Sequence, residues 1–381
     1  MDGRLLVLRR SPSACTYAGF WSGVSGYLED LEPLARAYAE IEEETGLGRG
    51  DVALLAAGKP LQVEEWLVHP FLFRCLQPGA VRLNDENAEA QWVEPGALRD
   101  LRTVPALEEA YVQTKLAERV ERIANDDVHG ASWLAKEAVE AVAEAIELGE
   151  DPVDLGRQLV RARPAMGAIA GALGRMLAAG RTPEQMVEEA RALVESRERA
   201  SKAIAVIASP HMQKVVMTHS ASSTVREVLQ HTPPDRVVCT TSEPVGEGRD
   251  LAEQLRQEGL TVELVDDSDA EHAVQTVSLL LVGADTVFRD GSLVNKVGTA
   301  GLAKAAKEAG VPVFVACEVI KLSPAGPRDP GEERFDLTGP EHIDLFLTEE
   351  GQFAPEDIGA LIDRTPFLRD GHALLFGDAD S

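Results

Sequence analysis

The chain has 381 residues, too many for one ordinary domain and enough for two or three. It carries 37 basic against 64 acidic residues, a formal net charge of −27, which argues against a general nucleic-acid or anionic-membrane binder while leaving a local basic site open. Its 44% of hydrophobic residues suffices for packed cores, and no apolar run approaches the roughly 18 residues of a membrane-spanning helix. The opening MDGRLLVLRRS is too short and too charged for a signal peptide. Cys15, Cys75, Cys239 and Cys317 are scattered and form no C-x-x-C, so they read as reduced thiols of a cytoplasmic protein. Nine lysines against 28 arginines, in an acidic composition, suggest a halophilic, salt-adapted surface; a high-GC genome encoding an acidic protein would give the same skew. In such a protein, clustered Glu alone is weak support for a metal site.

Taken in chain order, residues 1–115 predict a mixed α/β unit. Short apolar runs at 5–8, 52–58 and 66–73 alternate with Gly, Pro and charged turns. One helical pattern runs from about Leu31 to Thr45 and stops at Gly46. QWVEPGALRDL then predicts a strand, a turn and a short helix. Residues 116–202 are almost purely helical in pattern, with Thr182-Pro183-Glu184 as a capped helix start. Residues 203–381 open on strands and helices in alternation: VVMTH, RVVCTT, TVELVDD, SLLLVGA and PVFVACE are unbroken apolar runs of the kind that form a buried parallel sheet. The predicted class is therefore α/β, with a Rossmann-like doubly wound sheet at the C-terminal end. Its sites belong at the strand ends, near 218–224, 240–249, 266–268 and 283–296.

The stretch GYLEDLEPLARAYAEIEEETGL places Glu40, Glu43 and Glu44 at i, i+3 and i+4, three carboxylates on one helix face, with Glu42 turned to solvent. Such acids repel unless a cation lies among them, and hard oxygen ligands favour Mg²⁺ or Mn²⁺. A solvated acidic face is the alternative. Glu40-Ile41-Glu42-Glu43-Glu44-Thr45-Gly46-Leu47 resembles the second half of the Nudix box, G-x5-E-x7-R-E-U-x-E-E-x-G-U, over a likeness covering residues 1–115. The resemblance implies an α/β/α sandwich and Mg²⁺-dependent cleavage of a nucleoside-diphosphate derivative. Glu40, Glu43 and Glu44 would bind the metal, and Glu43 or Glu44 would assist the attacking water. The box's Arg is Ala39 here, and its first Gly and Glu fall on Ser25 and Leu31 unless one residue is deleted to recruit Gly26 and Glu32. Trp66 and Trp92 read as core residues or as substrate-stacking ones.

In the C-terminal segment, Asp285 follows a buried strand and Gly283, and Asp290-Gly291 is a tight hairpin turn. Asn295-Lys296 precedes Gly298-Thr299 at a helix start, so an amide, an ammonium and backbone N–H groups are expected to converge on an anion such as phosphate. VGAD, the DG turn and V-N-K-x-G-T resemble the family of the α/β/δ subunits of initiation factor 2B, methylthioribose-1-phosphate isomerase and ribose-1,5-bisphosphate isomerase. Thr218-His219-Ser220, Glu247-Gly248-Arg249, Asp267-Ser268, Lys321, Phe335-Asp336-Leu337-Thr338, His129-Gly130-Ala131 and Arg163-Pro164 extend the likeness over residues 116–350. It implies Asp285 as a catalytic group, ligand-binding roles for His129, Gly130, Arg163, Ser220, Asn295, Lys296 and Lys321, and a homo-oligomer through this segment. Three positions depart from the isomerases: Ser220 replaces a Cys, His129 replaces an Arg, and Glu243 replaces an Arg at the expected anion site. A serine hydroxyl is a far weaker acid than a thiol.

Three functions follow. A Nudix-like hydrolase could be joined to a module that binds a phosphorylated sugar or nucleotide. The chain could instead be a non-catalytic regulatory protein like the initiation factor subunits, or an active sugar-phosphate isomerase. Direct nucleic-acid binding and a membrane partner are not expected.

Overall fold

The computed structural model describes residues 3–28, 32–180 and 182–377. The chain divides into two units, Met1–Arg122 and Ile123–Ser381, so the helical and Rossmann-like segments fall in the same unit. Leu31, the predicted helix start, lies outside the described residues.

In the first unit, β1 (Leu5–Arg10) pairs antiparallel with β2 (Trp21–Ser22). Helix α1 (Pro33–Thr45) begins with a proline, which has no N–H to leave unsatisfied, and ends at Gly46, whose φ of 68° closes the last turn through a 2.9 Å bond from its N–H to the Glu42 carbonyl. Ile41 of this helix packs with Leu47 and Val52. The strands β3 (Val52–Ala57), β4 (Leu61–Val63), β5 (Trp66–Val68) and β6 (Phe71–Cys75) follow. The predicted run over 66–73 is broken at Pro70, which cannot donate to a ladder; β4 pairs with β5, and β3 with β6. The sheet of β1 is completed by β7 (Asn87–Val93). The expectation that Trp66 is a core residue is corrected. It is 49% exposed on the β4–β5 hairpin, with Tyr27 tilted against it at 5.2 Å, whereas Trp21 takes the core position with Val7 and Leu98.

The division between units falls near the end of α2 (Leu107–Ala124). In the second unit come α3 (Ala131–Glu147), α4 (Pro152–Ala162), α5 (Gly167–Ala179) and α6 (Pro183–Ala208). Asp151 caps α4 and Thr182 caps α6, each accepting from a backbone N–H of the first turn. α5 is apolar on most sides and buried; its Gly171 lies so close to the backbone of Ile320 that a Cβ there would sit 1.7 Å from the carbonyl oxygen.

The remaining elements are β8 (Val215–Thr218), α7 (Ser223–His231), β9 (Arg236–Thr240), α8 (Glu247–Gln257), β10 (Val262–Val265), α9 (Ala270–Ala273), β11 (Leu279–Val282), β12 (Thr286–Phe288), β13 (Leu293–Lys296), α10 (Thr299–Glu308), β14 (Val313–Ala316), β15 (Leu322–Ser323), β16 (Phe335–Thr338), β17 (Leu345–Thr348), β18 (Gly351–Phe353), α11 (Ile358–Asp363) and α12 (Pro366–Phe376). The main sheet runs β10-β9-β8-β11-β14-β17-β18 and is parallel until β18. Its first six strands thus have the doubly wound order, reversing direction between β8 and β11. A second sheet, β15-β12-β13-β16, grows from the hairpin at Asp290-Gly291. Among the described residues, no helix is long and apolar enough to cross a membrane.

Candidate functional site

The reversal between β8 and β11 sends their following loops to opposite sides, which opens a crevice at the strand ends. A cavity of about 320 Å³ lies there. It gathers all eight of the residues expected in this segment: His129, Gly130, Arg163, Ser220, Asp285, Asn295, Lys296 and Lys321. Of the expected strand-end segments, 266–268 does not line it; Asp267 instead accepts from the N–H groups of Ser242 and Glu243 at 2.8 and 2.7 Å.

Asp285 lines the cavity directly after β11, and burial pushes its carboxyl up to about 6, opposed by the nearby charges of Lys321 and Arg163 and reinforced by Glu247. Lys321 is buried, which by itself would lower its pKa, but Glu318 at 3.2 Å and Asp285 outweigh burial and hold it above its ordinary value. A carboxyl poised near neutrality beside a fixed ammonium can give or take a proton.

Ser220 has a positive φ of 65° and donates its hydroxyl to Glu247 Oε1 at 2.9 Å. Lys296 Nζ holds the same carboxylate, 2.9 Å from Oε1. Behind Ser220 runs a chain of hydrogen bonds. Its N–H donates to Ser242 Oγ at 2.8 Å, Ser242 and Thr240 hydroxyls lie 2.8 Å apart, and Thr240 Oγ1 is 2.7 Å from His219 Nδ1. His219 Nε2 is 2.9 Å from the Val297 carbonyl, and burial pushes the imidazole toward its neutral form. A neutral ring donating through Nε2 satisfies every member of this chain.

Arg163 is buried, with hydrogen bonds to the carbonyls of Ala124 and Asp126, while its Nε has no partner. His129 stacks on Trp133 at 3.7 Å and its Nδ1 lies 2.8 Å from Asp126. Arg334, also lining the cavity, pairs with Asp127 at 2.6 Å.

Two expectations at this site are corrected. The N–H groups of Gly298 and Ala300 at the start of α10 do not await an anion, because the Asp336 carboxylate accepts from both. Asn295 donates to Thr299 Oγ1 at 3.1 Å, and Lys296 turns to Glu247, so the three donors do not converge. Glu243 does not put a negative charge into the cavity: it is outside the lining and pairs with Arg249 at 2.6 Å. Cys239 and Cys317 are buried in the core, as their apolar strands predict. Glu247, Arg226, Arg334 and Trp133 were not singled out as site residues from the sequence. Glu247 carries a signal in the E-G-R likeness, and Trp133 stands one turn beyond His129.

In the first unit, the acids of α1 are not equivalent. Glu40 and Glu44 are buried, whereas Glu43 is exposed. Arg36, one turn before Glu40, bonds its carboxylate and reaches Glu43 at 3.5 Å. An orienting arginine is therefore present at position 36 although Ala39 occupies the expected position; the i, i+4 spacing from Arg36 to Glu40 is its signal. Glu44 accepts from the Ser25 N–H at 3.2 Å and from the Asn87 side-chain amide at 2.9 Å, and burial pushes its carboxyl up to about 7. Burial also raises Glu40, against the pull of Arg36. Among the described residues, no three His, Cys, Asp or Glu side chains are grouped to hold a metal ion. Glu40, Glu43 and Glu44 as arranged form no ready-made site for Mg²⁺ or Mn²⁺: Arg36 holds Glu40, Glu44 accepts from Ser25 and Asn87, and Glu43 faces solvent.

Residues 127–334, more than half of the chain, match the family model described as "Initiation factor 2 subunit family". Residues 1–113 match that described as "NUDIX domain". The chain is 29% identical to a ribose 1,5-bisphosphate isomerase of Archaeoglobus fulgidus over 64% of its own length and 90% of that protein. It is 33% identical to a putative translation initiation factor eIF-2B subunit 2-like protein of Pyrococcus furiosus, over 55% of its own length and 79% of that protein. The crystal structure of a translation initiation factor eIF-2B of Pyrococcus horikoshii is similar with a TM-score of 0.57 and 29% identity, covering 63% of this chain and 97% of that one.

Proposed function

This chain belongs to the Initiation factor 2 subunit family and carries a Nudix domain ahead of it; on that premise we propose that its second unit binds a phosphorylated sugar or nucleotide in the cavity around Asp285. One observation carries the reading. The chain has 37 basic against 64 acidic residues, yet the cavity is lined by five cations, Arg163, Arg226, Lys296, Lys321 and Arg334, against four carboxylates, Asp126, Asp127, Glu247 and Asp285. A crevice that gathers five cations in so acidic a protein, though each has a carboxylate within reach, suits a compact anion. Calorimetric titration of ribose 1,5-bisphosphate, AMP and unphosphorylated ribose tests it. The phosphorylated compounds bind and ribose does not; equal binding of ribose would overturn the reading.

A second reading, isomerisation of a sugar phosphate, is favoured by Asp285 and by the Ser220 hydroxyl held on Glu247. Asp285 would move the proton between adjacent carbons, and Asp285→Asn would abolish turnover while leaving binding. Binding without turnover in the wild type would favour the non-catalytic, regulatory alternative instead. A homo-oligomer formed through the second unit belongs to the same reading, and light scattering tests it. For the first unit, the Nudix match supports Mg²⁺- or Mn²⁺-dependent hydrolysis of a nucleoside-diphosphate derivative, with Glu43 or Glu44 assisting the water. The partners that Glu40 and Glu44 already hold argue against it.

A further inference from the structure

We infer that Arg36 is the built-in counter-cation of the acidic helix in the first unit, so that Glu40, Glu43 and Glu44 hold no divalent ion in the native chain. The inference goes beyond the sugar-phosphate reading and is independent of the second unit.

Arg36 and Glu40 stand at i and i+4, and Glu43 lies one turn further, so a single guanidinium reaches two carboxylates along one helix edge. Glu40 has little freedom to leave this partner. Gly26 presses against it so closely that a Cβ at that position would lie 1.5 Å from Glu40 Oε1. Glu44 is committed on both oxygens, one to the Ser25 N–H and the other to the Asn87 amide, and is itself buried. The acids are thus satisfied from three directions: a charged side chain on their own helix, the loop before it, and the start of β7. A magnesium-sized ion needs free carboxylate oxygens at 2.0–2.1 Å in near-octahedral array. To enter here it must sit beside the guanidinium held on Glu40 Oε1 and compete with the donors that Glu44 accepts on both of its oxygens. The Arg36 charge, which reaches both Glu40 and Glu43, would then stand beside a dication, a repulsion that the native pairing avoids.

Titrating Mn²⁺ into the full chain, followed by electron paramagnetic resonance of the free ion, tests this. The wild type shows no Mn²⁺ site sensitive to Glu43→Gln. This substitution removes an exposed carboxylate, which keeps the test valid whatever the other variants do to folding. Arg36→Gln gains one site at least tenfold tighter than any in the wild type, and Arg36→Gln combined with Glu40→Gln loses it again. Arg36→Lys, which keeps the positive charge, behaves as wild type. A wild-type site of 1:1 stoichiometry that Glu43→Gln abolishes would overturn the inference, as would an Arg36→Gln chain that folds by its thermal melt and gains no site.

Discussion

Asp285 follows a fully buried strand, and burial, the largest influence on its carboxyl, pushes it up to about 6 from the ordinary 3.8. Between these values the folded chain holds a proton that the unfolded chain has released. Its contribution to stability is therefore lost as the pH rises from about 4 to about 6, and is constant above. At about 1.36 kcal/mol per pH unit, the difference in unfolding free energy between wild type and Asp285→Asn should fall by about 2–3 kcal/mol between pH 4 and pH 7, after allowance for partial solvent access. Urea unfolding of both proteins at the two pH values measures it; a constant difference would show that Asp285 is not shifted by its surroundings. Glu247 illustrates a different dependence. Its carboxylate joins the Ser220 hydroxyl to a buried Lys296, so Glu247→Gln leaves that ammonium without its partner and should destabilise the second unit by about 2–4 kcal/mol, read from the same urea midpoints.

Helix α5 meets the segment just before Lys321 through backbone at Gly171. A Cβ on Gly171 would collide with the Ile320 carbonyl at 1.7 Å, one residue before Lys321. Gly171→Ala should therefore cost about 1–3 kcal/mol by overpacking and weaken ligand binding by shifting Lys321, which thermal melts and titration together would show. Unchanged stability would mean that the helix can retreat freely. This contact has no trace in the sequence, where Gly171 is one small residue among the many of GAIAGALGRMLAAG. The parallel strands were legible because their apolar runs are unbroken and their helices amphipathic. The hairpin of the second sheet was legible in Asp290-Gly291. Helices α4, α11 and α12 were not separately predicted, since α4 lies inside a continuous helical pattern and the last two follow the segment that alternates clearly. Residues that line the cavity were legible where they follow a strand, as Asp285 and Ser220 do. Their partners were not: Asp336 capping α10, or Arg334 pairing with Asp127 more than 200 residues away, depends on the tertiary fold alone. Arg36 carries only a local signal, its i, i+4 spacing to Glu40, at a position other than the one that Ala39 fills.

Across the whole molecule the net charge of −27 must be reconciled with a cavity where cations outnumber carboxylates. Repulsion among surface acids opposes folding and is screened by salt, with a Debye length near 10 Å at 0.1 M and about 3 Å at 1 M. The salt-adapted reading predicts that raising KCl from 0.1 to 2 M increases the melting temperature by about 5 °C or more; no increase would favour compositional bias as the origin of the acidity. The same screening should weaken an anionic ligand, so affinity and stability should move in opposite directions with salt. The proposed function depends on the cavity cations meeting a phosphorylated ligand. The measurement that tests it is calorimetric titration of ribose 1,5-bisphosphate and AMP into wild type beside Lys296→Met, at low and high KCl. Binding of at least one of them in the wild type, weakened about tenfold or more in Lys296→Met and by salt, is the predicted result. No binding of either compound, or equal affinity in the variant, would contradict it.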